Sequence, residues 1–147
     1  MNDLSKKGNT PSILAIETLM KEHFDQTALK VIADTKHYQI KGIYARTMFI
    51  PAGTLVTGKI HNFESIGILA QGTMRITNGN TSVIVSAPYI TIDEPGIKRL
   101  GYAETDCTFI SVHRTDAEDI TDIEEELVSD TFEQYEIKRL GDHYEFY

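Results

Sequence analysis

Two periodicities divide the chain. From Tyr38 to His113, short runs rich in β-branched and aromatic residues alternate with Gly, Pro and Asn. On either side, apolar residues recur at three- and four-residue steps. The central pattern predicts strands near 38–50, 54–62, 66–70, 73–77, 81–86, 89–92, 98–103 and 107–113. Asn78, Gly79 and Asn80, between "MRIT" and "TSVIV", predict a hairpin, because Asn and Gly tolerate the positive φ of a tight turn. Short strands with regular turns predict a sandwich or barrel.

The flanks predict helices. Thr10 as N-cap and Pro11 at the first helical position open one whose stripe is Ile13, Ile16, Leu19 and Met20, ending near His23 or Phe24. Residues 25–37 are ambiguous, with a short strand at 28–32 as one reading. After His113, Thr115 with Glu118 and Thr121 with Glu124 fit capping boxes. Ile120, Ile123, Leu127 and Val128 form the apolar face of a second helix, opposite Asp119, Asp122, Glu125 and Glu126. The final "YEIKRLGDHYEFY" alternates enough for a last strand or a partner-docking tail. The expected organisation is mainly β: an N-terminal helical extension over 1–37, one barrel over 38–114, and an acidic helix and tail over 115–147 packed on it.

Composition sharpens this picture in two ways. At 147 residues with 41% hydrophobic content, the chain suits a single domain with a core. Its net charge of −8 is uneven. The segment from Asp116 onward is strongly acidic, with Lys138 and Arg139 its only bases, whereas residues 1–115 carry a slight excess of bases. No stripe is basic enough for duplex DNA. No apolar run reaches the roughly 20 residues that span a bilayer. With one cysteine, Cys107, and no signal-peptide pattern, the expected location is a cytoplasm.

The stretch "PAGTLVTGKIHNFESIGILAQGTMRI", residues 51–76, resembles the first motif of the cupin superfamily, G-x5-H-x-H-x3,4-E-x6-G. Gly53 and Gly72 sit at its two glycines, Lys59 at its first histidine, His61 at its second, and Ser65 at its glutamate with Glu64 one residue earlier. "YITIDEPGIKRLGY" resembles the second motif, with Pro95 and Gly96 at the turn, Lys98 or Arg99 at the histidine and Tyr102 near the asparagine. The resemblance covers about half the chain, residues 40–113. It implies a jelly-roll barrel, flanked here by an N-terminal helix and an acidic C-terminal helix, with a pocket at its open end. Its members include metal-dependent dioxygenases, isomerases, sugar-nucleotide epimerases and binding modules. The size and terminal helices also resemble cupin-like proteins of tailed bacteriophages, which would place the chain in a host cytoplasm.

The departures from the motif redirect the chemistry. A first-row metal in such a site wants several imidazoles and a carboxylate. A protonated lysine donates and cannot ligate, and further cations make a metal unfavourable. No metal and no cofactor are therefore expected, with His61, Glu64 and His113 the fallback ligand set. Lys59 and His61 are two apart, so on a strand they share one face. With Lys98 or Arg99 from a facing strand they suit an anion. Arg75 and Arg46 are further cationic candidates, and Tyr44, Tyr89 and Tyr102 could stack on a base or sugar. Cys107 lies in an apolar strand and reads as inert core. The leading expectation is a non-metal binding protein for a nucleotide- or sugar-phosphate-like anion, in concrete form a phage sponge of a host signalling nucleotide. An isomerase, epimerase or metal-dependent oxygenase is the enzyme alternative. The other is a virion structural protein contacting partners through the acidic helix and "HYEFY". A homo-oligomer, by default a dimer, is expected.

Overall fold

The computed structural model describes residues 12–13 and 34–144, with side chains placed through Leu140. The N-terminal helix and the strand at 28–32 lie outside the described residues, apart from Ser12 and Ile13, which are helical. The architecture is two facing antiparallel sheets, a barrel of the jelly-roll kind. One sheet has the order β1–β2–β10–β5–β8: β1 (Lys36–Ile40), β2 (Gly42–Ile50), β10 (Cys107–Thr115), β5 (Ser65–Gln71) and β8 (Tyr89–Asp93). The other is β3 (Leu55–Thr57), β9 (Leu100–Ala103), β6 (Thr73–Thr77) and β7 (Ser82–Ser86). A two-stranded ribbon joins β4 (Ile60–His61) to β11 (Val128–Ser129).

Period-two alternation decides which side chains enter the barrel. Along β2, Tyr44 and Ile50 are buried; along β10, Cys107, Ser111 and His113; along β5, Ser65 and Leu69; along β8, Thr91 and Asp93. Ile50, Leu69, Met74, Ile76, Val85, Ala103 and Cys107 form the core between the sheets. The Cys107 thiol donates to the carbonyls of Thr73 and Thr105, and burial pushes its pKa up, so it behaves as core.

The departures from the sequence expectations are local. The strand expected over 38–50 is a hairpin, broken at Lys41, and Gly42 opens β2 with φ +86°. The strand expected over 54–62 breaks at Gly58 and Lys59 into β3 and β4. Gly79 takes φ +94°, and the Asn78 side chain accepts from the backbone of Asn80 and Thr81, as the hairpin required.

Two helices follow the barrel: α1 (Ile120–Leu127) and α2 (Phe132–Tyr144). Neither expected capping box forms at α1. Asp119 is the N-cap, accepting from the Thr121 N–H at 2.8 Å, while Thr115 bonds Ala117 and Glu126. Ile123 and Leu127 pack on Tyr44, and Val128, though it belongs to β11, packs against the same cluster; Ile120 is exposed. The expected C-terminal strand is helix through Tyr144, and residues 145–147 lie outside the described residues. Thr131 supplies the first-turn bonds of α2, and Lys138 reaches back from it to the Glu125 and Val128 carbonyls at the end of α1. Asn62 fastens β4 to the same end: its N–H donates to the Leu127 carbonyl, its amide to the Glu126 carbonyl, and its oxygen accepts from Ser129.

Candidate functional site

The sheets enclose a small cavity of about 70 Å³ near β4. Met48, Met74, Ile76 and Phe109 give it an apolar floor; Arg46, Lys59, His61, Arg99 and Ser111 give it a polar, cationic side. Each polar group arrives by strand alternation or by a turn. Arg46 is the inward residue between Tyr44 and Met48 on β2, and Ser111 faces inward on the paired strand β10. His61 ends β4, and Lys59 lies in the break before that strand; both line the cavity, although Lys59 is not on the strand its spacing assumed. Both motif glycines take the left-handed conformation, Gly53 with φ +81° and Gly72 with φ +91°. A Cβ at Gly72 would overlap the Asp106 carbonyl and the Cys107 sulfur, so the turn between β5 and β6 tolerates no side chain there.

The cations of the cavity differ in what they are already bonded to. Arg99 Nη2 donates to the Asp93 carboxylate at 2.6 Å. Thr91 bonds the other oxygen of Asp93 at 2.7 Å, so this carboxylate is buried with its partners in place. Burial raises the Asp93 pKa, and Arg99 opposes that rise. Lys59 pairs with Asp130 at 3.1 Å at the mouth, both half-exposed. Lys98 is buried behind the wall, where its ammonium donates to the Gly58 carbonyl. Among the described residues, Arg46 has neither an ion pair nor a hydrogen bond, although it is partly buried and lines the cavity.

Two imidazoles stand beside it. Their ring centroids, His61 to His113, are 5.6 Å apart, and His113 stacks on Tyr44 at 6.1 Å. Tyr44 in turn shares a 2.6 Å hydrogen bond with His37 Nδ1, and His61 Nδ1 shares one of 2.9 Å with Ser65 Oγ. Burial lowers the His61 pKa to about 3, and the charges of Arg99, His113, Arg46 and Lys98 push the same way. Burial, with Arg46, lowers His113 to about 4. Both rings are therefore neutral at pH 7.

Other sequence candidates fall elsewhere. Arg75 and Tyr102 are neighbours across β6 and β9 on the exposed face of the smaller sheet, Arg75 bonding Glu104. Tyr44 is buried under α1 and contributes through its ring contact with His113. Tyr89 packs at the core. Glu64 is exposed, so the fallback ligand set does not assemble around His61 and His113. Among the described residues no three His, Cys, Asp or Glu side chains are placed to share a metal ion. A divalent ion of the kind the motif resemblance implies does not fit the described residues: two imidazoles, with no carboxylate placed among them, stand beside the Arg46 guanidinium. Sequence reasoning missed Asp93 and Thr91, and noted Ser65 only as the stand-in for the motif's glutamate. Thr91 and Asp93 occupy alternate positions of a strand whose other side is Ile90 and Ile92, and that alternation was the available signal.

Fold and site together define a jelly-roll barrel holding a small cavity of positive charge. No protein-family model and no curated protein matches the sequence. Its fold is similar to that of solved cupins. One is a cupin superfamily protein of Desulfitobacterium hafniense, 10% identical, with 56% of this chain and 76% of that one covered at a TM-score of 0.48. An RmlC-like cupin of Shewanella frigidimarina is 10% identical over 58% and 77% of the two chains, TM-score 0.48. KdgF of a Halomonas species is 14% identical over 59% and 82%, TM-score 0.49.

Proposed function

We propose that the protein binds a small molecule by one anionic group, a carboxylate or phosphate, held by Arg46 inside the barrel. The observation that carries this reading is the partly buried guanidinium of Arg46, unpaired among the described residues, in a wall whose other arginine is neutralised by Asp93. A partly desolvated cation with no partner favours an incoming anion strongly. Arg46 offers a planar fork, His61 and Ser111 offer polar contacts, and the methionines and Phe109 offer apolar surface to the group's stem.

Size and surroundings narrow the ligand class. A cavity of about 70 Å³ takes the anionic group and little more, where a drug-sized ligand would need at least roughly 300 Å³. The rest of the molecule lies at the mouth, where Lys59 also borders an open, polar cleft lined by Glu124, Glu125, Asp130, Gln134 and Lys138. Those carboxylates accept hydrogen bonds from hydroxyls and repel further negative charge. A sugar phosphate or sugar acid fits this arrangement better than a polyphosphate nucleotide. No catalytic step is part of this reading.

Calorimetric titration tests it, with glycerol 3-phosphate, glucose 6-phosphate, glucuronate, AMP and ATP as ligands and neutral glucose as control. Binding of a monoanionic or dianionic sugar derivative, weakened at least tenfold in Arg46→Met, is the expected result. Absence of heat with every anion at millimolar concentration would overturn the proposal.

A further inference from the structure

Lys98 is 1% exposed, the largest fully buried side chain among the described residues. Lysine is almost never buried so completely, because an ammonium is costly to take out of water. Its neighbours Ile97 and Arg99 line the cavity and Lys98 does not, as alternation along an extended segment requires. The residues it runs beside explain its place. Segment 96–99, between β8 and β9, lies along the break between β3 and β4. The Gly58 N–H donates to the Arg99 carbonyl at 3.0 Å, and the His61 N–H donates to the Ile97 carbonyl at 3.0 Å. Two residues, Lys59 and Ile60, therefore stand against one, Lys98, which is the count of a β-bulge.

This bulge decides which residues reach the cavity. Val56 pairs with Gly101, Gly58 meets Arg99 in the same register, and all four line the cavity. Continued without a bulge, that register would set Ile60 beside Ile97 and turn Lys59 and His61 to the far side, since cross-strand partners share a face. The extra residue shifts the register by one. His61 then takes the place beside Ile97 on the cavity wall, and the Gly96 N–H donates to the His61 carbonyl at 2.7 Å. A bulge disrupts the ladder locally, and here the Gly58 carbonyl accepts from the Lys98 ammonium. We infer that Lys98 is a positioning residue of the anion site: its ammonium locks the bulge at Gly58, and the bulge turns His61 into the cavity and keeps Lys59 at its mouth. An ammonium suits the task, with three donors on a long stem and a charge-assisted bond to the carbonyl. An apolar side chain would fill the same space without holding Gly58. This role rests on the anion reading of the cavity, whereas the bulge itself does not.

Nitrogen-15 spectra of the unliganded protein and calorimetric titration with glucose 6-phosphate test this role, in the wild type and in Lys98→Met, which fills similar space with no donor. Displaced His61 ring signals, faster hydrogen exchange at the Gly58 and His61 amides, and an affinity about fivefold weaker are the expected results. Lys98→Gln keeps a donor and is expected to fall between the two. A role in packing alone would lower the melting temperature and leave the His61 signals in place. Should Lys98→Met lose the wild-type circular dichroism spectrum, Lys98→Gln takes its place, with displaced His61 signals again expected. A folded variant with the wild type's His61 signals, or with its affinity, overturns the inference. A wild type that binds no anion overturns the proposed function instead, and the His61 signals of the unliganded variants still decide whether Lys98 holds the bulge.

Discussion

Arg99 and Asp93 sit 2.6 Å apart in the cavity wall, and their pairing sets the charge that remains available inside the barrel. The carboxylate is almost fully buried and also accepts from Thr91. Arg99 is consumed by this contact and lies over the Phe109 ring at 5.8 Å. Arg46, on the facing sheet, has no such partner among the described residues. The cavity therefore separates a structural guanidinium from one free to meet a ligand.

That separation predicts opposite stability effects. Asp93→Asn leaves Arg99 buried without its counter-charge and should cost about 3–5 kcal/mol in urea unfolding. Arg46→Met removes a cation with nothing to lose and should leave stability unchanged or raise it by about 1 kcal/mol. Equal destabilisation by the two substitutions would show that Arg46 is structural.

The buried imidazoles predict the pH response. His61 at about 3 and His113 at about 4 lie below the ordinary value of 6.5, so the unfolded chain binds protons that the folded chain refuses. Their contribution is complete above pH 6.5 and is lost as pH falls from there through about 4 toward 3. Each histidine adds a slope of up to about 1.4 kcal/mol per pH unit. Asp93, raised by burial, works with the opposite sign, its contribution fading as pH rises through its folded value. Urea midpoints at pH 4.5, 5.5, 6.5 and 7.5 should fall on the acid side for the wild type and fall less steeply for His113→Phe. A flat profile would mean that the rings are hydrated in solution.

Gly72→Ala is expected to cost about 2 kcal/mol or more, since it adds strain at φ +91° to the overlap with Asp106 and Cys107. Gly42→Ala at φ +86°, where an added Cβ meets nothing within 4 Å, should cost about half as much. Thermal melts of the two variants decide whether the β5–β6 turn is as tight as described.

Lys59→Ala separates the mouth from the interior. The Lys59–Asp130 pair is largely solvated, so its loss should change stability by less than about 1 kcal/mol. Affinity for an anion should fall only a few-fold and mainly at low salt, because Lys59 acts at the entrance. A loss as large as that of Arg46→Met would move the anchor to Lys59.

The barrel was legible because period-two alternation and turn glycines are local signals: Gly79 takes the positive φ its hairpin position suggested, and the motif glycines Gly53 and Gly72 take positive φ as well. Lys59 and His61 line one cavity, but through the break that precedes β4 and not through the continuous strand that spacing assumed. What spacing cannot carry is partnership across sheets. Nothing local tells Arg99, held by Asp93, from Arg46, which no described residue holds. The same limit hid the separation of Arg75 and Tyr102 from the cavity, because the side a short strand presents depends on where β6 and β9 begin. The C-terminal helix α2 was missed for another reason. Its residues alternate in polarity, and Gly141 weakens the helical pattern, while the contacts that fix it come from β11 and from Lys138 reaching the end of α1.

The most direct test observes the guanidinium itself. In ¹⁵N-detected nuclear magnetic resonance, titration with glucose 6-phosphate should shift and sharpen the Arg46 side-chain signals while those of Arg99 stay in place. The His61 ring should respond in the same titration, its pKa rising as an anion arrives beside it. Arg46 signals that remain unmoved while the phosphate binds elsewhere on the protein would contradict the account.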